Sequence, residues 1–131
     1  MNRSELQTMV PQVLTSIKTP NDLQELLQQN EGLLIIKLGA TWCAPCKKIE
    51  PLVMQWMNRM PHDVTRAYID IDENIDLYGF YKKKRIVQGV PTLLLYVKGN
   101  DHYIPDDITF GSDPKTTNEF FERCVEQYQD L

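Results

Sequence analysis

Cysteine is scarce in this 131-residue chain, with residues at 43, 46 and 124 only. Three are too few to staple a small disulfide scaffold, and a lone CxxC in a reducing space favours catalysis or metal binding over a structural bridge. Histidine is scarcer still, and beside the CxxC only Cys124, His62 and His102 remain as nitrogen or sulfur ligands, with no second close-spaced pair. A four-ligand zinc site within one chain is therefore not expected. Long apolar runs are missing: the longest, 32–39, is broken by Lys37 and falls far short of the ~20 residues of a membrane span. Basic excess is missing too. The net charge is −4, whereas a general nucleic-acid binder wants a surplus of cations. The opening MNRSELQTMVPQVLTSIK lacks an apolar core and a small-residue cleavage site, so no secretory signal is read and the cytoplasm is the expected location. No repeat, low-complexity tract or Gly/Ser linker divides the chain, and a single domain over 1–131 is expected, with residues 1–10 as an N-terminal appendage.

What is present alternates between strand-like and helical patterns. Residues 12–18 have weak strand character. Thr19-Pro20-Asn21-Asp22 opens a helix: threonine caps, proline suits the first helical position, and aspartate favours the positive end. The run 33–38, LLIIKL, is the near-continuous apolar pattern of a strand covered on both faces. Residues 46–60 form the clearest helix, with Ile49, Leu52, Val53, Trp56, Met57 and Met60 on one face and Pro51 expected to kink it. A strand over 64–71, a helix over 74–85 and a strand over 92–97 follow. Lys98-Gly99-Asn100 reads as a turn leading to a partner strand near 102–104, with 105–111 irregular before a last helix from Asp113-Pro114. The order βαβαβαββα predicts a central mixed sheet of about five strands with helices on both faces.

The chemistry sits in GATWCAPCKKIEP, residues 39–51. A strand ending near Leu38 and a helix from about Ala44 place Cys43 at a helix N-terminus. Free N–H groups and the helix dipole there lower a thiol pKa from ~8.5 toward ~3.5–7.5. Cys46 follows one turn further in, more shielded. An exposed sulfur backed by an inner resolving one is what two-step thiol–disulfide exchange needs, with Pro45 stiffening the loop between them.

With W-C-x-P-C, the proline-containing helix and QGVPT at 88–92, the chain resembles the thioredoxin family from about residue 12 to 130. Trp42-Cys43-Ala44-Pro45-Cys46-Lys47 is similar to the family's WCGPCK except for Ala44, and Gly89-Val90-Pro91-Thr92 is similar to the segment holding its cis-proline. The resemblance implies an α/β thioredoxin fold and that Pro91 is cis, lies against the cysteine pair, blocks metal binding and shapes the substrate groove. It implies that the Val90 backbone pairs with an extended client segment, and that Trp42, Ala44, Pro45, Val90 and Gly111 line a shallow contact surface.

Three departures stand out. Lys37 occupies a strand position where the family typically has a buried aspartate, and Tyr68 stands where it often has lysine. Lys37 either turns its ammonium to solvent at a strand edge or approaches Cys46, accepting its proton if neutral or stabilising its thiolate if charged. Gly39 replaces a common aromatic. The 105–111 stretch is acidic, with Asp106 and Asp107 near the expected substrate face. Elsewhere, Lys82–Arg85 reads as cations at a helix end, Cys124 as inert core, and Glu50 as exposed. The expected activity is a protein disulfide oxidoreductase with Cys43 as nucleophile, Cys46 as resolving thiol, and Pro91 and Lys37 supporting. It needs no bound cofactor and no metal. Disulfide-bearing client proteins and a reducing donor such as thioredoxin reductase or glutathione are its expected partners, and a monomer its expected state. The alternative is a docking module of the same fold with marginal redox turnover.

Overall fold

The computed structural model describes residues 13–131; the expected N-terminal appendage lies outside the described residues. Nine elements follow in order: β1 (Val13–Leu14), α1 (Pro20–Gln29), β2 (Leu33–Gly39), α2 (Ala44–Arg59), β3 (Thr65–Asp70), α3 (Ile75–Lys83), β4 (Thr92–Val97), β5 (Asp107–Phe110) and α4 (Pro114–Gln129). The sheet runs β1-β3-β2-β4-β5. β2 pairs parallel with β3 and antiparallel with β4, and β1 pairs parallel with β3. This is the mixed five-stranded sheet that the sequence predicts.

β2 is the central strand, and its alternation sorts the core. Leu34, Ile36 and Leu38 pack with Leu23 and Leu27 of α1 and Leu77 and Tyr81 of α3. Leu33 and Ile35 pack with Ile49, Val53 and Met57 of α2 and Phe120 and Phe121 of α4. Burial on both faces explains the unbroken apolar run, since neither face meets water. Helix starts follow local chemistry. The Thr19 hydroxyl accepts from the Asp22 N–H while the Asp22 carboxylate accepts from the Thr19 N–H, a reciprocal cap. Asp113 caps α4 by accepting from Lys115 N–H at 3.2 Å and the Thr116 hydroxyl at 2.7 Å, and these bonds hold its carboxyl below the usual aspartate range. α2 continues through Pro51 to Arg59.

One expected strand is displaced. Residues 102–104 are loop, and the return strand is Asp107–Phe110, with Leu95 opposite Asp107. The cause is side-chain competition for the ladder. The Asp106 carboxylate takes the Val97 N–H at 2.7 Å and the Asn100 amide at 3.0 Å, while the Asn100 amide also donates to Ile104 O. With that ladder donor occupied by a carboxylate, pairing resumes only beyond residue 106. Tyr96 O–H donates to Tyr103 O at 2.6 Å, pinning the loop to the core, and Tyr81 shares a 2.7 Å bond with Tyr96.

Arg66 is a charged residue inside the sheet layer, 6% exposed. Its guanidinium donates to the carbonyls of Met57, Met60, Pro61 and Val64 at 2.6–2.9 Å. These include carbonyls of the last turn of α2 and its cap, where the helix ladder runs out, and the cation meets the negative end of the helix dipole. Replacing Arg66 with Met is expected to lower unfolding stability by about 1–3 kcal/mol, because the carbonyls gathered at the end of α2 lose a shared cationic donor, though Met57 O and Pro61 O keep the N–H groups of Met60 and Val64. Urea denaturation measures it; a loss below about 0.5 kcal/mol would show that the carbonyls find other donors.

Candidate active site

The site is built where β2 ends and α2 begins. The Cys43 N–H bonds to Ala40 O at 3.2 Å, closing a turn, and Lys47 N–H bonds to Cys43 O at 3.2 Å, starting the helix. Cys43 is the N-cap: its backbone is extended (φ −87°, ψ 106°) and its sulfur accepts the Cys46 N–H at 3.1 Å. Pro45 falls in the first turn, where a missing N–H costs no helix bond. Cys43 and Cys46 are joined as a disulfide with Cα atoms 5.2 Å apart, inside the range a bridge requires.

Opposite the sulfurs lies the loop 88–91. Val90–Pro91 is cis, as the resemblance implied. The neighbouring carbonyls are each held: Gln88 O by Lys82 Nζ at 2.7 Å, Gly89 O by the Thr92 hydroxyl at 2.6 Å, and Pro91 O by Gly111 N–H at 3.0 Å. The Val90 carbonyl faces Cys43, 3.7 Å from its sulfur. Gly111 adopts φ 103°, a conformation that strains side-chain-bearing residues. Trp42 is 65% exposed, yet its indole N–H is tied to the Asp72 carboxylate at 2.8 Å.

Two expectations are corrected. Cys43 is not the exposed member of the pair: it is 3% exposed and Cys46 6%, because the cysteine caps inward under the Val90–Pro91 loop. Lys37 does not sit at a strand edge, since β2 is paired on both sides. Its side chain is only 13% exposed and its ammonium lies 3.4 Å from Glu50 Oε1. Asp106 and Asp107 are engaged rather than free at a substrate face, Asp106 in the hairpin loop and Asp107 with Arg123 at 2.7 Å. Tyr68, beside Lys37 in the ladder, has its phenol pKa raised by burial, against the opposing pull of Arg66.

The sequence reading missed Phe110, Asp72 and the part played by Glu50. Phe110 is 49% exposed and its ring edge lies 3.5 Å from where a Cβ on Gly89 would be, adding an apolar wall beside Gly111. Its signal was the position next to Gly111, hidden while 105–111 read as irregular. Among the described residues no three His, Cys, Asp or Glu side chains are arranged to hold a metal ion.

A family model described as Thioredoxin matches residues 14–122. The chain belongs to the thioredoxin family. It is similar to Thioredoxin-1 of Saccharomyces cerevisiae, 31% identical over 89 residues, which span 68% of this chain and 81% of the yeast protein. It is 30% identical over 105 residues to the chloroplastic thioredoxin M2 of Arabidopsis thaliana, covering 79% of this chain and 52% of that one. Among solved structures, Fasciola hepatica thioredoxin superposes with a TM-score of 0.65 at 28% identity, over 86% of this chain and 97% of the fluke protein. Family membership and the paired Cys43–Cys46 make the chain a thiol–disulfide oxidoreductase, an enzyme that works on protein disulfides and draws on a reducing donor. No helix among the described residues is long and apolar enough to cross a membrane.

The third cysteine does not join this chemistry. Cys124 is fully buried in α4 and burial pushes its thiol up to about 12. At pH 8 its thiolate fraction is therefore about one in ten thousand. Iodoacetamide added to the reduced native protein at pH 8 is expected to label Cys43 and Cys46 and spare Cys124, as read by peptide mass spectrometry. Labelling of Cys124 at a comparable rate without denaturant would refute its inert placement.

Proposed function

We propose that Cys43 is the attacking sulfur and Cys46 the resolving one in a dithiol reductase of client proteins. The observation that carries this reading is the Cys43 sulfur standing as N-cap of α2, accepting the Cys46 N–H at 3.1 Å while bonded to the Cys46 sulfur. In the reduced protein that N–H and the helix dipole stabilise a Cys43 thiolate. The thiolate attacks one sulfur of a client disulfide, the client S–S bond breaks, and the departing client thiolate takes a proton from water. The Cys46 thiol then loses its proton and attacks the Cys43 sulfur. The bond from Cys43 to the client breaks, the second client thiolate leaves and is protonated, and the 43–46 disulfide remains. Two electrons have passed to the client, and a donor such as thioredoxin reductase or glutathione must return two.

In this reading Pro91 holds the Val90 carbonyl against Cys43, and an extended client segment lies along Val90 in a short β-augmentation. Trp42, Ala44, Pro45, Val90 and Gly111 form the contact surface, widened by Phe110. Trp42, Ala44 and Pro45 are exposed around two buried cysteines, which supports recognition of the client by the rim and reaction at its floor. The chain acts as a single domain and a monomer, in the cytoplasm, without a bound cofactor.

Insulin reduction followed by turbidity, with thioredoxin reductase and NADPH or with dithiothreitol as donor, tests the assignment. Cys43→Ser is expected to lower turnover by at least about 100-fold. Cys46→Ser is expected to accumulate a client disulfide-linked through Cys43, visible on a non-reducing gel. Turnover that survives Cys43→Ser, or no cysteine-dependent turnover with either donor, would overturn the reductase reading and leave the fold as a docking module.

A further inference from the structure

Residues 33, 35, 37 and 39 of β2 point to the α2 side of the sheet, and the first two are wholly apolar and buried against α2 and α4. The third member of that row is a lysine, and the fourth a glycine. A methyl group placed on Gly39 would lie 3.8 Å from Cys46 Sγ and 4.0 Å from Lys37 Cε. The lysine stem and the inner sulfur thus both border the side-chain position that Gly39 leaves open. The lysine head turns to Glu50, four residues after Cys46 on α2, at 3.4 Å, with the lysine side chain 13% exposed and the glutamate 53%. The lysine stem is therefore mostly covered, while its head meets Glu50 in an exposed bond.

We infer that Lys37 and Glu50 form a charge pair that sets the ionisation of the Cys46 sulfur, the lysine favouring its thiolate and the glutamate opposing it; this rests on Cys46 being the resolving thiol. Paired with a carboxylate, the lysine acts by its field. A cation whose stem passes beside a sulfur favours the thiolate, and the field is stronger the less water lies between them. Glu50 works the other way twice: its own charge disfavours the thiolate, and it draws the ammonium toward the surface. Other groups face the same region and are common to every variant compared. From β3, burial opposes ionisation of the Tyr68 phenol, and Asp70, opposite Gly39 in the ladder and accepting the Asp72 N–H, is a further carboxylate that disfavours the thiolate; β4 presents Leu93 beside Lys37; on α2, Lys47 is exposed. Lys37 is a positioning residue in this scheme, acting through Cys46 and never touching the client.

The effect on rate is smaller than the effect on ionisation. A tenfold loss of thiolate is partly offset because a more basic thiolate is a better nucleophile, with a Brønsted coefficient of ~0.4–0.5, leaving about a threefold loss.

The test uses the full chain with Cys43→Ser, where Cys46, 6% exposed, is followed peptide by peptide apart from the wholly buried Cys124. The pH midpoint of Cys46 alkylation by iodoacetamide is followed by mass spectrometry. Lys37→Met is expected to raise it by about one pH unit, Glu50→Gln to lower it, and Lys37→Arg to leave it in place. In the protein with both cysteines, Cys43 is loaded with 5-thio-2-nitrobenzoate and the coloured thiolate released by Cys46 is timed at pH 7. Lys37→Met is expected to slow that release about threefold and Glu50→Gln to speed it. A merely structural role would move both variants together. Midpoints that shift in the same direction, or do not shift, overturn the inference. Should Lys37→Met fail to fold, Glu50→Gln and Lys37→Arg decide alone, since Glu50 is half exposed and its substitution removes no packing. None of these readouts needs client turnover, so the pair can fail while the reductase reading stands, and the reverse.

Discussion

A single hydrogen bond organises this molecule: the Cys46 N–H donated to the Cys43 sulfur at 3.1 Å. It is at once the cap that starts α2 and the contact that brings two sulfurs within bonding reach. Most helices are capped by an oxygen from serine, threonine, aspartate or asparagine, as Thr19 and Asp113 do elsewhere in this chain. Spending the cap position on sulfur gives up a better acceptor, and in exchange the helix end acts directly on the reacting atom. The direction of the effect depends on redox state. A disulfide sulfur is a weak acceptor, whereas a thiolate is a strong one, so the same geometry gains strength when the bond is reduced.

The rest of the fold keeps that bond in place. Central β2 is fixed by pairing on both edges and packing on both faces, so its last residue delivers the turn 40–43 to one location. From the far side, β4 begins at Thr92 immediately after the cis peptide, and β5 reaches back through Gly111 to hold Pro91 O. The two walls of the site thus belong to neighbouring strands of one sheet, and the distance between sulfur 43 and the Val90 carbonyl is set by sheet register instead of loop flexibility. Arg66 completes the frame at the opposite end of α2, where it gathers four carbonyls. The helix is therefore satisfied at its N-terminus by a sulfur and at its C-terminus by a guanidinium.

Local patterns in the sequence disclosed what depends on local chemistry. The Thr19 and Asp113 caps, the apolar run of β2 and the stripe of α2 each follow from a few adjacent residues, and the structure has them at those places. The cis state of Pro91 came from the resemblance, since spacing alone permits either isomer. What the sequence concealed depends on partners distant in the chain. The strand after Gly99 was misplaced because Asp106 and Asn100 compete with the ladder from within the loop. Cys43 reads as exposed because helix N-termini usually are, and only the 88–91 loop covers it. Glu50 is exposed as its sequence position implies, and only its partner, on another element thirteen residues earlier, was hidden.

Lys37 shows why an interior charge can persist in such a site. Burying a lysine beside sulfur and apolar side chains costs free energy that a methionine of similar volume would avoid, and a partner at 3.4 Å recovers only part of it. A position selected for stability alone would hold an apolar residue, like Leu33 and Ile35 in the same row. Gly39, the last residue of β2, lies next in the same row, and the side-chain position it leaves open borders both Cys46 and the Lys37 stem. A charged residue and an open position beside one sulfur accord with the proposed cycle, in which the inner thiol must ionise to break the mixed disulfide. Thiol exchange is fastest when the attacking thiol titrates near ambient pH, so a counterbalanced pair, able to move the sulfur in either direction, serves it better than a lone charge of either sign.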